Sequence, residues 1–216
     1  MLKSLISLFL ESNCPLCDRT ARNLICQPCC DRIHKEKNLH QQTSLKVFAW
    51  GAYRGQLKRA IAALKYQNCP ELGQLMGLWL GEAWLKSSGY KPGKKIIVVP
   101  IPMHSNKLKQ RGYNQAELIA RGFCQFTGFS LRARGLKRIK ETKAMFALTS
   151  TQRKENIRSA FGIGPEFAKK NPRSPVLLID DIYTTGNTVT EATKILEDRG
   201  IKVLGAATVS KTASQN

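Results

Sequence analysis

One stretch of sequence decides the fold: VLLIDDIYTTGNT, from Val176 to Thr188. Its first four residues are apolar, which predicts a strand buried on both faces. Two adjacent carboxylates, Asp180 and Asp181, follow, and a loop of small hydroxyl residues and a glycine then leads into a helical pattern. Ligands of open α/β sheets bind outside the carboxyl ends of the strands. The stretch therefore predicts a parallel sheet with a ligand site at this strand end.

The loop that follows the two acids predicts a phosphate site. Its backbone N–H groups, its hydroxyls and the N-terminus of the helix all favour an anion. Asp180 and Asp181 would then accept hydrogen bonds from the 2- and 3-hydroxyls of an attached ribose, directly or through a metal-bound water. The alternative is an acidic pair that binds only Mg²⁺, as in a phosphatase or a receiver domain, but the Thr-Thr-Gly-x-Thr continuation argues against it. The predicted phosphate-binding residues are Thr184, Thr185, Gly186, Asn187 and Thr188.

Strand and helix patterns alternate along much of the chain, which predicts an α/β fold with a mostly parallel sheet flanked by helices. Strands are expected at residues 45–50, 96–101, 131–136, 176–180 and 202–209. Helices are expected at residues 53–66, 71–86, 114–126, 149–158 and 188–199. A chain of 216 residues can hold one such domain and a small additional module.

Two Cys-x-x-Cys pairs precede this domain and predict a metal site. The four cysteines are Cys14, Cys17, Cys26 and Cys29. Four thiolates at this spacing suit the tetrahedral geometry of Zn²⁺, and a closed four-sulfur site is structural rather than catalytic. A redox motif or buried cysteines are the alternative, which the close pairing disfavours, and Cys30 or His34 could replace one ligand. We therefore predict a zinc module with a short N-terminal helix at residues 1–42 and the phosphate-binding domain at residues 43–216.

The charge of the chain is strongly positive, with 35 Lys and Arg against 15 Asp and Glu. A net charge of +20 predicts a polyanionic partner, nucleic acid first. The alternative is a basic surface that keeps the protein in solution or contacts protein partners, beside a small anionic substrate. The basic residues expected to form a track for a DNA backbone are Arg19, Arg22, Arg32, Lys35, Lys37, Arg54, Lys58, Arg59 and Lys65.

The cysteine count and the first apolar segment indicate the compartment. Five of the seven cysteines fall within residues 14–30, and this odd, clustered set argues against a disulfide framework. Residues 2–10 are apolar but far shorter than the ~20 residues that cross a bilayer, and no signal cleavage pattern follows them. We expect a cytoplasmic protein without a transmembrane segment, with a peripheral position at the inner face of the membrane, through partners, as a further option.

The strand, acid pair and loop at residues 176–188 resemble the signature of the type I phosphoribosyltransferases, which bind phosphoribosyl pyrophosphate (PRPP). Further motifs narrow this resemblance to the ComF family. They are the Cys-x-x-Cys pairs, Tyr53-Arg54-Gly55, Leu64-Lys65-Tyr66, Val99-Pro100-Ile101-Pro102, Arg111-Gly112-Tyr113-Asn114-Gln115, Arg153, and Asn156 to Phe161. That family joins a zinc finger to a phosphoribosyltransferase-like domain and is associated in bacteria with natural competence and the uptake of single-stranded DNA.

The resemblance also assigns residues to the ligand. Asp180 and Asp181 would be the catalytic acids, and Mg²⁺ would accompany PRPP. The pyrophosphate-side loop would include Lys107 and Arg111. A flexible hood at residues 137–143 would contribute Arg138, Lys140 and Lys143. Met145 stands where the family pattern has a glutamine, so the hydrogen bond of that glutamine has no counterpart here.

The sequence thus predicts a ComF-like protein that acts in natural competence and DNA uptake with the competence DNA-uptake proteins. Its phosphoribosyltransferase-like domain would bind PRPP, and its basic surface would bind single-stranded DNA. Two alternatives stay open for the PRPP site. One is an active phosphoribosyltransferase in nucleotide salvage, in which a nucleophile attacks C1 of the ribose as pyrophosphate leaves. The other is a PRPP sensor without turnover.

Overall fold

The computed structural model describes residues 12–42, 46–87, 89–90, 93–140 and 160–213. The strands are β1 (Ser12–Asn13), β2 (Thr20–Ala21), β3 (Lys37–Gln42), β4 (Val47–Ala52), β5 (Ile97–Pro100), β6 (Ser130–Leu131), β7 (Leu136–Arg138), β8 (Phe161–Ile163), β9 (Val176–Tyr183) and β10 (Val203–Lys211). The helices are α1 (Gln27–Lys35), α2 (Gly55–Tyr66), α3 (Glu71–Ser87), α4 (Ser105–Arg111), α5 (Gln115–Thr127), α6 (Pro165–Ala168) and α7 (Asn187–Glu197).

A six-stranded sheet lies at the centre, with the strand order β3-β4-β10-β9-β5-β6. Every neighbouring pair is parallel except β3 with β4. This confirms the predicted α/β fold with a mostly parallel sheet flanked by helices. Because β5, β9 and β10 run in the same direction, their carboxyl ends meet at one edge of the sheet. The acid pair lies at that edge.

Side chains of β9 alternate between two hydrophobic clusters, one on each face of the sheet. Leu177 and Ile179 pack in the cluster that α2, α3 and α5 cover, whereas Val176 and Leu178 pack in the cluster that α7 and the β7–β8 pair cover. Helices on both faces explain why this strand is a continuous apolar run rather than an alternating one. The alternation continues into the acids at the end of the strand.

The N-terminal module contains a helix, α1, and a strand of the central sheet, β3. α1 begins with Pro28 in its first turn and buries Cys29 and Ile33. β3 then pairs antiparallel with β4 as the edge strand of the central sheet. The sheet therefore starts on the N-terminal side of the boundary predicted after residue 42, and a division into two independent units stays a prediction.

The module and the larger domain share one core. Ile33 of α1 is fully buried in the same hydrophobic cluster as Trp50 of β4 and Leu57 of α2. Burial of these side chains stabilises both parts together, at about 1.5–3 kcal/mol for each large apolar group. Apolar packing therefore joins the module to the sheet, in addition to any contribution of the predicted metal site.

Several expected elements differ from the structure. The single strand expected at residues 131–136 is two short strands, β6 and β7, which belong to different sheets. α4 was not predicted. The helices expected at residues 149–158 and near the N-terminus lie outside the described residues. Among the residues that the structure describes, no helix is long and apolar enough to span a membrane.

Candidate functional site

The two acids at the end of β9 point to opposite faces of the sheet, as the period of a strand requires. Asp181 points toward the face that carries α2, and its carboxylate lies 2.7 Å from the ammonium group of Lys65. The two side chains are only 18% (Lys65) and 6% (Asp181) exposed. The backbone N–H of Asp181 donates a hydrogen bond of 2.9 Å to Oδ1 of Asp180. The carboxylate of Asp181 is therefore held in an enclosed ion pair, whereas Asp180 beside it is only partly buried.

Lys65 was predicted to lie on the DNA-binding surface, and that prediction is wrong. The lysine occupies the last turn of α2 and turns inward, because the end of this helix packs against the carboxyl end of β9. Burial would lower the pKa of Lys65, but the carboxylates of Asp181 and then Asp180 outweigh this effect and raise it. Lys65 therefore carries its charge at neutral pH.

Asp180 has a pKa raised to about 7, first by burial and then by the negative charge of Asp181. Lys65 and Arg138 oppose this rise. Arg138 lies on β7, with its guanidinium 4.9 Å from the centre of the Phe161 ring, and burial lowers its pKa against the effect of Asp180. The structure thus brings the two predicted acids together with one predicted hood residue. Perturbed titration at a strand end is typical of functional sites.

The predicted phosphate loop follows the acids and leads into α7. Gly186 has a left-handed backbone, with φ of 80°, and is the N-cap of this helix. Its carbonyl accepts a hydrogen bond of 2.8 Å from the N–H of Thr190. Thr184 and Thr185 are exposed, and Asn187 and Thr188 are half-buried. The first turn of α7 contains no acidic residue, so a helix N-terminus and a set of hydroxyls converge on one anion-compatible position.

The predicted pyrophosphate-side residues lie on α4, beyond the end of β5. Lys107 is half-buried there. Arg111 donates a hydrogen bond of 2.6 Å to Oε1 of Gln115, and its guanidinium lies 5.6 Å from the centre of the Tyr66 ring. Lys140 is exposed just after β7, and Lys143 lies outside the described residues. The roles of these four basic residues toward a ligand remain predictions.

The Arg-Gly-Tyr-Asn-Gln motif connects the end of α2 to the end of β5. The hydroxyl of Tyr113 donates a hydrogen bond of 2.6 Å to the carbonyl of Leu64, next to Lys65. Nδ2 of Asn114 donates to the carbonyl of Ile101 at 3.0 Å, and Oδ1 of Asn114 caps α5 by accepting from the N–H of Ala116 at 3.2 Å. These neutral contacts give the motif a positioning role that the sequence alone did not show.

The four predicted zinc ligands form a compact cluster. Their sulfur atoms all lie within 4.8 Å of one another. The cysteines of this cluster are Cys14, Cys17, Cys26 and Cys29. The cluster can hold a metal ion such as zinc, because four converging thiolates suit its tetrahedral coordination. Cys30 and His34 are not part of this group, and the His34 ring instead packs edge-on against Trp79, with 4.9 Å between ring centres.

The surrounding protein shifts the pKa values of two of these thiols in opposite directions. The N–H of Arg19 lowers the pKa of Cys17 to about 7, whereas burial raises the pKa of Cys29 to about 12. Nε2 of Gln56, on α2, donates a hydrogen bond of 3.2 Å to Sγ of Cys29. Donors that stabilise a ligating thiolate in this way orient it for the metal. Gln56 also ties the cluster to the larger domain.

A basic groove lies between the zinc module and α2. Its volume is about 370 Å³. The residues that line it are Arg32, Lys35, Glu36, Gly55, Gln56 and Arg59. Three cations of the predicted DNA track therefore meet in one place. Arg54, another member of that track, forms a 2.6 Å ion pair with Glu36 at the side of this groove.

Comparison with known proteins finds a domain match over the part of the chain that contains the acid pair. The profile of the phosphoribosyl transferase domain matches residues 129–216, which include the acid pair and its loop. "Competence protein F" of Haemophilus influenzae is 31% identical over 107 residues, which cover 49% of this chain and 45% of that protein. "Competence protein ComFC" of Streptococcus pneumoniae is 28% identical over 194 residues, or 89% of this chain and 77% of that protein. The chain is a homologue of the ComF competence proteins.

Two more distant similarities are to a DNA utilization protein and to a solved structure. "DNA utilization protein YhgH" of Salmonella typhimurium is 26% identical over 151 residues, or 68% of this chain and 64% of that protein. A crystal structure of adenine phosphoribosyltransferase is 15% identical, with a TM-score of 0.43, and the match covers 83% of this chain and 88% of that one. The chain spans less than half of the Haemophilus ComF protein, so the activity of the whole relative does not transfer to it directly.

Proposed function

We propose that this ComF homologue binds PRPP at the acid pair and the loop of residues 184–188, and binds single-stranded DNA on its basic face, in the course of natural competence. The observation that supports the PRPP site best is the placement of the acids. Asp180 and Asp181 end a central parallel strand, and a glycine loop and a helix N-terminus follow at once. This arrangement offers carboxylates to a sugar and N–H groups to its phosphate.

Residues of this chain would bind each part of the ligand. The phosphate would accept hydrogen bonds from the backbone N–H groups and hydroxyls of residues 184–188. The ribose hydroxyls would donate to the acid pair. Arg138, beside Asp180, would face the negative charge of the pyrophosphate, and Mg²⁺ bound to the pyrophosphate would neutralise part of that charge. In the transferase alternative, Arg138 would stabilise the departing pyrophosphate. In the sensor alternative, Arg138 would only hold the pyrophosphate group of the bound PRPP.

Isothermal calorimetry with PRPP and Mg²⁺ tests this site. The Asp180→Asn, Asp181→Asn double variant should bind PRPP at least tenfold more weakly, because each charge-assisted hydrogen bond contributes ~1.5–3 kcal/mol. Asp198→Asn, an exposed acid at the end of α7, is the matched control and should bind as the wild type does. Equal affinity in the double variant would show that the acids do not contact the sugar. Release of pyrophosphate with a panel of bases then separates a transferase from a sensor.

The DNA proposal rests on the net charge of +20, on the basic groove, and on the similarity to proteins named for competence and for DNA utilization. Arg32 and Lys35 come from α1 and Arg59 from α2, so the groove presents cations from two elements. A phosphate backbone is the polyanion that such a surface binds with little sequence preference. Fluorescence anisotropy with a single-stranded oligonucleotide at low salt tests this. No binding by a preparation with its zinc content verified would exclude the DNA proposal.

A further inference from the structure

We propose that Lys65 is a positioning residue of the phosphoribosyl site: its ammonium group holds Asp181 and leaves Asp180 as the acid that faces the sugar. The identity of the ligand rests on the proposed function above. The arrangement of the three side chains does not, so the two ideas can fail separately.

The two acids differ in access. Asp181 points to the face of α2 and has a 6% exposed side chain that is already paired with Lys65 at 2.7 Å. A carboxylate in a buried ion pair cannot leave its partner without exposing an unpaired charge to the protein interior. Asp180 points to the opposite face and is only partly buried. We therefore infer that Asp180 is the acid that contacts the sugar, whereas Asp181 stays paired with Lys65.

Lys65 is held in place by its neighbours in the chain. The residue before it, Leu64, accepts the 2.6 Å hydrogen bond from the hydroxyl of Tyr113. The residue after it, Tyr66, lies under the guanidinium of Arg111. The Arg-Gly-Tyr-Asn-Gln motif thus contacts the last turn of α2 on both sides of the lysine. These contacts support the backbone from which the Lys65 side chain reaches Asp181.

The charge of the acid pair depends on this contact. The charged groups around Asp180 are Asp181 on the same strand, Lys65 on α2 and Arg138 on β7. Without Lys65, two carboxylates would face Arg138 alone, and the pair would keep a shared proton to higher pH. A ligand that needs ionised acids would then bind well only at higher pH.

The test compares Lys65→Met with the wild type in PRPP binding between pH 6 and pH 9. If the upper pKa of the acid pair rises by about one unit from about 7, its ionised fraction at pH 7 falls from about one half to about one tenth. We expect at least fivefold weaker binding at pH 7 and binding within about twofold of the wild type at pH 9. Lys65→Arg, which keeps the charge, should restore most of the affinity at pH 7. Lys86→Met removes a lysine from an exposed ion pair on α3 and should leave the pH profile unchanged.

A second measurement does not need the ligand. Carbon NMR of labelled aspartate carboxyls in the free protein should show the upper midpoint of the Asp180–Asp181 pair about one pH unit higher in Lys65→Met. An unchanged midpoint would overturn the role of Lys65, and an equal loss of affinity at all pH values would reduce it to a structural one. If Lys65→Met does not fold, Tyr113→Phe replaces it, with a smaller shift in the same direction expected and no shift contradicting the proposal. If the wild type fails to bind PRPP, the proposed function fails, and the NMR titration still decides the role of Lys65.

Discussion

Asp180→Asn should stabilise the folded protein at neutral and alkaline pH while it weakens the proposed binding of PRPP. The pKa of Asp180 is raised from 3.8 to about 7 in the folded state. Folding therefore favours the protonated acid, and the free energy of unfolding falls as the pH rises from about 4 through about 7. An asparagine has no charge to bury, and its Oδ1 can still accept the N–H of Asp181 that now donates to Asp180 at 2.9 Å.

The size of the gain follows from the same two pKa values. Integrating the difference in bound protons between folded and unfolded chains gives about 2 kcal/mol at pH 5 and about 4 kcal/mol at pH 8, as upper estimates. In a chain of this size, 4 kcal/mol corresponds to a rise in Tm of about 8–16 °C. A gain of this kind at the cost of activity is a common trade at functional sites.

Chemical denaturation at pH 5 and pH 8 measures this difference. Each pH value compares the variant with the wild type, so any pH dependence of the metal site is common to both proteins. Asp198→Asn, at an exposed position, should change the free energy of unfolding by less than about 0.5 kcal/mol at either pH. If Asp180→Asn raised the free energy of unfolding equally at the two pH values, or at neither, that result would refute the idea that burial and Asp181 disfavour the ionised form of Asp180.

Two further predictions concern the metal and the DNA. Ile33 of the module shares a core with Trp50 and Leu57, so removing zinc with a chelator should lower the Tm of the whole chain rather than melt the module alone. The expected decrease in Tm is at least about 6 °C, for a loss of about 3 kcal/mol. Calorimetry that shows an unchanged main transition would contradict this. The triple variant Arg32→Gln, Lys35→Gln, Arg59→Gln should make the binding of single-stranded DNA less dependent on salt. The slope of log K against log salt should become shallower by about 2, at ~0.7 for each lost phosphate contact. The control variant Lys169→Gln, Lys170→Gln, Arg173→Gln, which changes three exposed cations before β9, should leave the slope unchanged.

Most of the central fold could be predicted because local patterns determine it. The apolar runs that became β5 and β9 are buried on both faces, and helices α2, α3, α5 and α7 lie close to their expected bounds. β3 was missed because the edge strand Lys37–Gln42 is polar and has no apolar alternation. α1 was missed because it is short and its buried face consists of one cysteine of the four-cysteine cluster and one isoleucine, Cys29 and Ile33. Periodicity cannot reveal elements that a neighbouring strand or a metal cluster supports.

The candidate site was only partly predictable, for a different reason. The acids, the loop and the four cysteines are each contiguous or regularly spaced, so their chemistry could be inferred from the chain. Lys65 belongs to the site through a contact between residues far apart in sequence. Leu57, Ile61 and Leu64 define the buried face of α2, and this pattern assigned the next residue to solvent. Only the packing of the end of the helix against β9 shows that a charged residue is enclosed there.

That contact bears on the proposed function, because the proposed phosphate site contains two adjacent acids. An isolated pair of carboxylates would repel a pyrophosphate bound close to it, since like charges near a protein surface repel each other by several kcal/mol. Here Lys65 neutralises Asp181, and Arg138 lies close enough to affect Asp180, so the four charges sum to about zero when Asp180 is ionised. In the proposed site, the N–H groups and hydroxyls of residues 184–188 would then attract a phosphate without a net negative field to overcome. Asp180 can still accept a hydrogen bond from a sugar hydroxyl, which is the contact that distinguishes a phosphorylated ribose from a simple phosphate.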